Sequence, residues 1–190
     1  MKLNLANKLT VGRIICVPVF AVFAALAVRR GDRLWYGMAL MTFVVASITD
    51  MLDGMVARKY NMITKLGQFL DPLADKLLTT VAFLYMLKGG ALSFEVVCIL
   101  IVRELVVSAV RMISAGSVDK AIIPANMLGK AKTVLMMAMI IIFYAGMAFA
   151  WSRSWVRPTV RWLSWACVAV SIASGISYIF CSKDAIKDAQ

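Results

Sequence analysis

The 190-residue sequence contains no histidine. Its four cysteines are isolated in apolar runs, without the close spacing of paired metal ligands, at Cys16, Cys98, Cys167 and Cys181. These two absences argue against a zinc site, and they leave a carboxylate or a lysine as the candidate general base. We interpret the cysteines as packing residues.

Charged residues are also scarce. They make up 16% of the chain, whereas hydrophobic residues make up 62% and the mean hydropathy is +0.84. This composition predicts an integral membrane protein, and the length fits one domain over residues 1–190. The formal net charge is +11. In a membrane protein we interpret this charge as a preference for anionic lipid and phosphate-bearing substrates, not for nucleic acid.

The hydrophobic runs predict an all-α fold with six transmembrane helices. The predicted spans are about 11–28, 34–57, 70–88, 92–115, 130–152 and 160–182. Before them, an apolar rhythm in a polar stretch predicts a short interfacial amphipathic helix over about 3–10. A cleaved signal peptide is the alternative for the first run. It is disfavoured because Pro18 interrupts the run and every later segment is also hydrophobic.

The basic residues predict how the chain is oriented. Six spans place both termini on one side, and most of the 21 basic residues fall on that side. The positive-inside rule makes that side cytoplasmic. We therefore expect a protein of the cell (inner) membrane, with both termini and the active site in the cytoplasm.

Acidic residues are concentrated in one stretch. Four of the 10 in the chain fall between residues 50 and 75, as the pairs Asp50/Asp53 and Asp71/Asp75. Spacings of three and four residues place each pair on one face of a helix. Grouped carboxylates repel one another unless cations lie among them, and oxygen ligands suit Mg²⁺ or Mn²⁺. The stretch predicts a site for two divalent ions.

Further residues add detail to this chemistry. Small residues beside the acids would let a bulky ligand approach the backbone, and Arg58 could bind a phosphate through two hydrogen bonds. On the predicted fourth span, Arg103, Glu104 and Arg111 should face an interior cavity, because charges facing lipid are costly. The residues alone predict metal-assisted attack on a diphosphate, with a lipid as one partner.

The acidic stretch resembles the motif of the CDP-alcohol phosphotransferase family at eight fixed residues, Asp50-x2-Asp53-Gly54-x2-Ala57-Arg58-x8-Gly67-x3-Asp71-x3-Asp75. The six predicted spans and the interfacial helix are similar to the same family. Within it, three stretches look like the phosphatidylglycerophosphate synthases: Asn7 to Arg13, Arg103-Glu104 with Arg111, and Gly129 to Thr133.

The resemblance implies a specific reaction. The phosphatidyl group of CDP-diacylglycerol would pass to sn-glycerol 3-phosphate, with release of CMP. It also implies that Asp50, Asp53, Asp71 and Asp75 hold two divalent ions and that Asp75 is the catalytic base. By the same analogy the CDP pocket is lined by Gly54, Ala57, Arg58 and Gly67. The acceptor phosphate would be bound by Arg103, Arg111, Lys130 and Lys132, in a homodimer.

Other interpretations stay open. The acids could pair with Arg58, Lys65 and Lys76, Glu104 could simply neutralise Arg103 and Arg111, and Lys130 and Lys132 could anchor the membrane surface. The same donor could serve another acceptor: inositol phosphate, serine or phosphatidylglycerol. A divalent-cation transporter is the non-enzyme alternative, but the acids lie on one side of the membrane, and the last two predicted spans are uncharged over residues 133–152 and 162–182.

Overall fold

A computed structural model of the chain describes residues 5–60, 65–116, 127–151 and 153–181. Only the backbone is described for the helical residues 5–11, 13, 50–60, 65–75, 110–116, 128, 130, 153 and 177–181. The predicted all-α class is confirmed, since the described residues form six helices. They are α1 (Leu5–Arg30), α2 (Arg33–Tyr60), α3 (Lys65–Lys88), α4 (Phe94–Gly116), α5 (Met127–Ala148) and α6 (Arg153–Cys181).

The start of the chain differs from the prediction. The described part of the segment predicted as an interfacial helix over about 3–10 is continuous with the first predicted span in α1. Its position at the membrane surface stays a prediction. Gly12 lies at this junction. A single glycine destabilises a helix by only about 1 kcal/mol relative to alanine, so the helix can continue through it. The helix also continues through Pro18.

The boundary between the last two helices also differs. α5 ends at Ala148 and not near residue 152, because Ala150 adopts a positive φ of 55°. In this turn the Trp151 amide donates to the Gly146 carbonyl over 2.9 Å. A left-handed residue of this kind closes a helix. α6 then begins at Arg153, earlier than the predicted start of the span at about 160. The arginines in its first turns lower the hydropathy of this segment, so a search for apolar runs does not include it.

Polar side chains are accommodated within the apolar helices by local hydrogen bonds. Thr42, Ser47 and Thr49 in α2 each donate to the carbonyl of the residue four positions earlier, over 2.8 Å. A hydroxyl paired in this way needs no water, so it can lie in an apolar environment.

The core is built around five aromatic rings. Phe20 of α1, Tyr36 and Phe43 of α2, and Phe143 and Tyr144 of α5 are buried in one cluster. Tyr144 makes edge-to-face contacts with Phe20 and Phe143, with centroid distances of 5.4 and 5.1 Å. Offset and edge-to-face ring pairs stabilise a core by more than the burial of their apolar area alone. The cluster fixes α1, α2 and α5 against one another.

Three turns of the described residues share one end of the bundle, which we call the loop end: residues 31–32, 89–93 and 149–151. Gly31 and Ala150 line the same pocket. Arg157, near the start of α6, donates to the Gly89 carbonyl over 3.1 Å. The opposite half contains the start of α5 and the later part of α6, where Gly129 lies beside Ser174. Successive helices therefore run up and down the bundle.

Two helices in the described residues contain stretches long and apolar enough to cross a membrane, Ala131–Ala148 and Ser154–Ile176. A shorter apolar stretch covers Arg33–Thr49 in α2. Large apolar side chains also lie on the outer surface; Leu34 is 69% exposed and Trp162 is 79% exposed. These features fit a membrane-associated helical protein, and the number of spans stays a prediction.

Candidate active site

The eight motif residues lie on two helices. Asp50, Asp53, Gly54, Ala57 and Arg58 belong to α2, and the others, Gly67, Asp71 and Asp75, belong to α3. The helical spacing assumed for each aspartate pair is therefore confirmed for the backbone. The side chains of all eight lie outside the described residues, so their metal and CDP contacts stay predictions.

The backbone places both pairs away from the loop end. Asp50 lies 17 residues beyond the start of α2 at Arg33, which corresponds to about 25 Å along the helix. On α3, Asp75 lies 13 residues before the end of the helix at Lys88, or about 20 Å. Both pairs therefore belong to the half of the bundle that also contains the start of α5.

A cluster of charged side chains lies in that half, which we call the Glu104 cluster: Lys76, Arg103, Glu104 and Lys132. Glu104 of α4 is its only acid. The Arg103 guanidinium donates to Glu104 Oε1 over 2.9 Å, and the Lys132 ammonium of α5 donates to the same oxygen. Lys76 Nζ of α3 lies 3.3 Å from Glu104 Oε2 and 3.4 Å from the Glu104 carbonyl oxygen. One carboxylate thus joins cations from three helices.

The sixth helix completes the surroundings of Arg103. Arg103 Nε donates to the Ser171 carbonyl over 2.8 Å, and a Cβ atom on Gly175 would lie 3.5 Å from that nitrogen. The small residues of α6 therefore allow the guanidinium to lie against the helix backbone. The Ser171 hydroxyl is buried and has no hydrogen-bond partner among the described residues.

The prediction that Arg103 and Glu104 face the interior is confirmed. Their side chains are 12% and 18% exposed and contact α3, α5 and α6. Glu104 also neutralises Arg103, as the alternative interpretation held. Arg103 and Lys132 are brought together as predicted for acceptor binding, whereas the side chains of Arg111 and Lys130 lie outside the described residues.

Sequence reasoning did not assign Lys76 to the site. The signal was present, because Lys76 directly follows Asp75 and an ionisable group at membrane depth is a functional candidate. Its partner lies 28 residues away on another helix. Nothing in the local pattern indicates that pairing.

The charge of the Glu104 cluster favours an anion. Three cations and one carboxylate leave a formal net charge of +2 among side chains that are at most 23% exposed. Charges in a dry environment interact more strongly than in water. Arg and Lys donors are suited to phosphate oxygens, so the cluster is a candidate phosphate site.

The donor chemistry of the acidic motif fits a hard divalent cation. Four carboxylates are provided by α2 and α3, and oxygen ligands are what Mg²⁺ and Mn²⁺ prefer. Among residues with described side chains, no three His, Cys, Asp or Glu side chains group together. The motif aspartates lie outside those residues.

Comparison with known proteins identifies relatives over most of the chain. The family model of CDP-alcohol phosphatidyltransferase matches residues 3–173. The CDP-diacylglycerol–glycerol-3-phosphate 3-phosphatidyltransferase of Bacillus subtilis (strain 168) is 39% identical over 139 residues, covering 68% of this chain and 70% of that protein. The protein of the same name in Rickettsia bellii (strain RML369-C) is 36% identical over 180 residues, covering 92% of this chain and 93% of that protein. The protein of the same name in Escherichia coli (strain K12) is 30% identical over 179 residues, covering 93% of this chain and 89% of that protein.

Proposed function

The chain belongs to the CDP-alcohol phosphatidyltransferase family, and we propose that it transfers the phosphatidyl group of CDP-diacylglycerol to sn-glycerol 3-phosphate. The products are phosphatidylglycerol phosphate and CMP. The observation that supports this acceptor best is the Glu104 cluster, a cationic site in the same half of the bundle as the acidic motif. An acceptor without a phosphate, such as serine, would have no use for that positive charge.

The acidic motif would bind the donor. Asp50, Asp53, Asp71 and Asp75 would hold two divalent ions, Mg²⁺ or Mn²⁺. When bound, such ions neutralise the diphosphate and stabilise the charge that develops during phosphoryl transfer. The CDP group would lie against Gly54, Ala57 and Gly67, where small side chains leave room for it, and Arg58 would donate to its phosphate oxygens.

Asp75 would act as the general base. Its carboxylate takes the proton from the 1-hydroxyl of glycerol 3-phosphate, and that oxygen forms a bond to the phosphorus that carries the diacylglycerol. The bond between this phosphorus and the bridging oxygen breaks, and CMP leaves with the electron pair. The acceptor phosphate would be held by Arg103 and Lys132, together with Arg111 and Lys130.

The setting of the enzyme is also a proposal. Residues 1–190 would form one membrane domain with six transmembrane helices, and the chain would act as a homodimer in the cell (inner) membrane. The distribution of basic residues supports a cytoplasmic position for the termini and the acidic motif. A water-soluble acceptor can reach the site from there, while the donor enters from the bilayer.

The test is CMP release by purified protein in mixed micelles that contain CDP-diacylglycerol and Mg²⁺ or Mn²⁺. Glycerol 3-phosphate, inositol phosphate, serine and phosphatidylglycerol are supplied as separate acceptors. We expect release that requires both a divalent ion and glycerol 3-phosphate. Release with a different acceptor would overturn the acceptor assignment and keep the reaction class. No release from folded protein would favour a cation transporter.

Replacing the base tests the mechanism. Asp75→Asn removes the proton-accepting charge with little change in volume, so turnover should fall by at least about 100-fold. Binding of CDP-diacylglycerol, measured by equilibrium binding in micelles, should largely persist. A variant that retains a near-normal rate would show that Asp75 is not the base.

A further inference from the structure

Lys76 is part of the Glu104 cluster, but the proposed function assigns the acceptor phosphate to other cations and gives Lys76 no substrate contact. It lies on α3, the helix that carries Asp71 and Asp75, and it reaches the carboxylate of α4. It therefore connects the helix of the proposed base to the helices that carry the acceptor-binding cations. The following inference rests on the proposed function.

The three cations are not held equally. Lys132 makes a close contact with Glu104 Oε1 and is 9% exposed, and Arg103 is fixed at two points, by Glu104 and by the Ser171 carbonyl. Lys76 is 23% exposed and its two contacts measure 3.3 and 3.4 Å. Charge-assisted hydrogen bonds are usually about 2.7–2.9 Å long. Lys76 is thus the cation that Glu104 holds most loosely.

A structural role alone does not account for this charge balance. A single cation would neutralise Glu104, whereas three cations leave a surplus of two positive charges among the described side chains, in a mostly buried position. Removing unpaired charges from water is costly. A phosphate monoester carries about −1.5 to −2 charges at neutral pH, so it would balance the surplus.

We propose that Lys76 binds the phosphate of the acceptor and that Glu104 is a positioning residue for the cations that surround that phosphate. In the ligand-free protein Glu104 keeps the Lys76, Arg103 and Lys132 side chains together despite their mutual repulsion. When the phosphate enters, Lys76 exchanges its long contacts with Glu104 for phosphate oxygens. Since Lys76 directly follows Asp75, this bond ties the bound acceptor to the helix that carries the base.

The first test is binding of glycerol 3-phosphate by isothermal titration calorimetry. The protein is purified in detergent micelles with Mg²⁺ and without donor, so no turnover occurs. Lys76→Met removes the charge and keeps the apolar stem, and we expect about tenfold weaker binding or more, the usual effect of losing one charge-assisted bond. Lys88→Met is the matched control, because Lys88 is on the same helix, exposed and at the loop end. Its affinity should equal that of the wild type.

Inorganic phosphate and glycerol separate the two parts of the acceptor. Lys76→Met should weaken the binding of inorganic phosphate by a similar factor. Glycerol has no phosphate, so its affinity should be the same for the variant and the wild type. In turnover assays the variant should raise KM for glycerol 3-phosphate and leave KM for CDP-diacylglycerol within about twofold. Lys76→Arg should recover most of the affinity.

The role of Glu104 is tested by a double-mutant cycle. If Glu104 orients Lys76, then Lys76→Met should cost much less affinity in a Glu104→Gln background than in the wild type, with less than about a threefold loss. Equal losses in the two backgrounds would show that Glu104 does not position Lys76. Thermal unfolding of each variant checks that the protein is folded at the titration temperature.

The outcomes distinguish this inference from the proposed function. If Lys76→Met binds glycerol 3-phosphate as tightly as the wild type, Lys76 is not a phosphate ligand and the proposed reaction is unaffected. If the wild type prefers inositol phosphate and Lys76→Met weakens the binding of that compound, the acceptor assignment fails and the role of Lys76 stands. A wild-type protein that binds none of these phosphate compounds would overturn the inference.

Discussion

Gly146 is the position where the packing of α5 against α6 is most sensitive to one added methyl group. A Cβ atom there would lie 2.7 and 2.9 Å from the two methyl carbons of Val156 and 3.4 Å from a ring carbon of Trp151. Val156 is fully buried, and its branched side chain has one strongly preferred rotamer in a helix. It therefore cannot move away without disturbing its neighbours.

The expected cost follows from two opposing terms. Overpacking a well-filled core costs about 1–3 kcal/mol, and both valine methyls are affected, which places this site near the upper limit. Replacing a helical glycine by alanine returns about 0.5–1 kcal/mol. Gly146→Ala should therefore lower the free energy of unfolding by about 2 kcal/mol. For a chain of this length, that corresponds to a thermal midpoint about 5 °C lower.

Gly37→Ala is the matched control. Its Cβ would lie 3.9 Å from the Cβ of Ala148, which is ordinary van der Waals contact. The same substitution should therefore stabilise α2 by about 0.5–1 kcal/mol. Thermal unfolding in one detergent, followed by tryptophan fluorescence, compares both variants with the wild type.

A second variant tests the assumed clash directly. Shortening Val156 to alanine in the Gly146→Ala background removes both clashing methyls, so the double variant should be more stable than the sum of the single changes predicts. Gly146→Ala as stable as Gly37→Ala would refute the reasoning, since the α5–α6 contact would then have room for the methyl. Because Gly146 is at the loop end, KM for glycerol 3-phosphate should not change.

Two further predictions concern the core and the topology. The Tyr144 hydroxyl is buried without a hydrogen-bond partner in the part of the chain that the structure describes. Tyr144→Phe should therefore leave the free energy of unfolding unchanged or raise it by up to about 1 kcal/mol in the same unfolding assay; a loss above about 1 kcal/mol would reveal a partner elsewhere in the chain. In a cysteine-free background, Asp32→Cys at the loop end should react with a membrane-impermeant maleimide added outside intact cells, because the loop end faces away from the cytoplasm in the proposed topology. Labelling only after the membrane is permeabilised would reverse that orientation.

Hydropathy and helical spacing were sufficient to predict the helices, because an apolar run of about 20 residues has few other stable forms in a membrane. The ends were harder to predict. The described helix α1 includes Leu5 and α6 begins at Arg153, and both positions fall in polar segments that a hydropathy search does not mark as helical. The end of α5 depends on the left-handed conformation of Ala150, which no residue preference indicates.

In the candidate site, too, the local features could be predicted from the sequence and the contacts between helices could not. The motif aspartates could be placed on helices because their spacing is local. The partners of Glu104 could not be found in this way, because Lys76 and Lys132 each lie 28 residues from it and meet it only through the packing of three helices. The contact between Glu104 and its neighbour Arg103 was one of the interpretations that the sequence left open. Adjacent residues do not usually face each other on a helix, but the long guanidinium side chain reaches the carboxylate.

The position of Glu104 explains how a cationic site can exist in an apolar bundle before substrate arrives. Three unpaired cations in a dry environment would repel one another and draw the helices apart, whereas full neutralisation would remove the attraction for phosphate. One carboxylate among three cations lies between these limits, since it links α3, α4 and α5 and still leaves two positive charges. In the proposed mechanism the same residue therefore holds the helices together in the free protein and leaves a positive charge that a dianionic acceptor would balance.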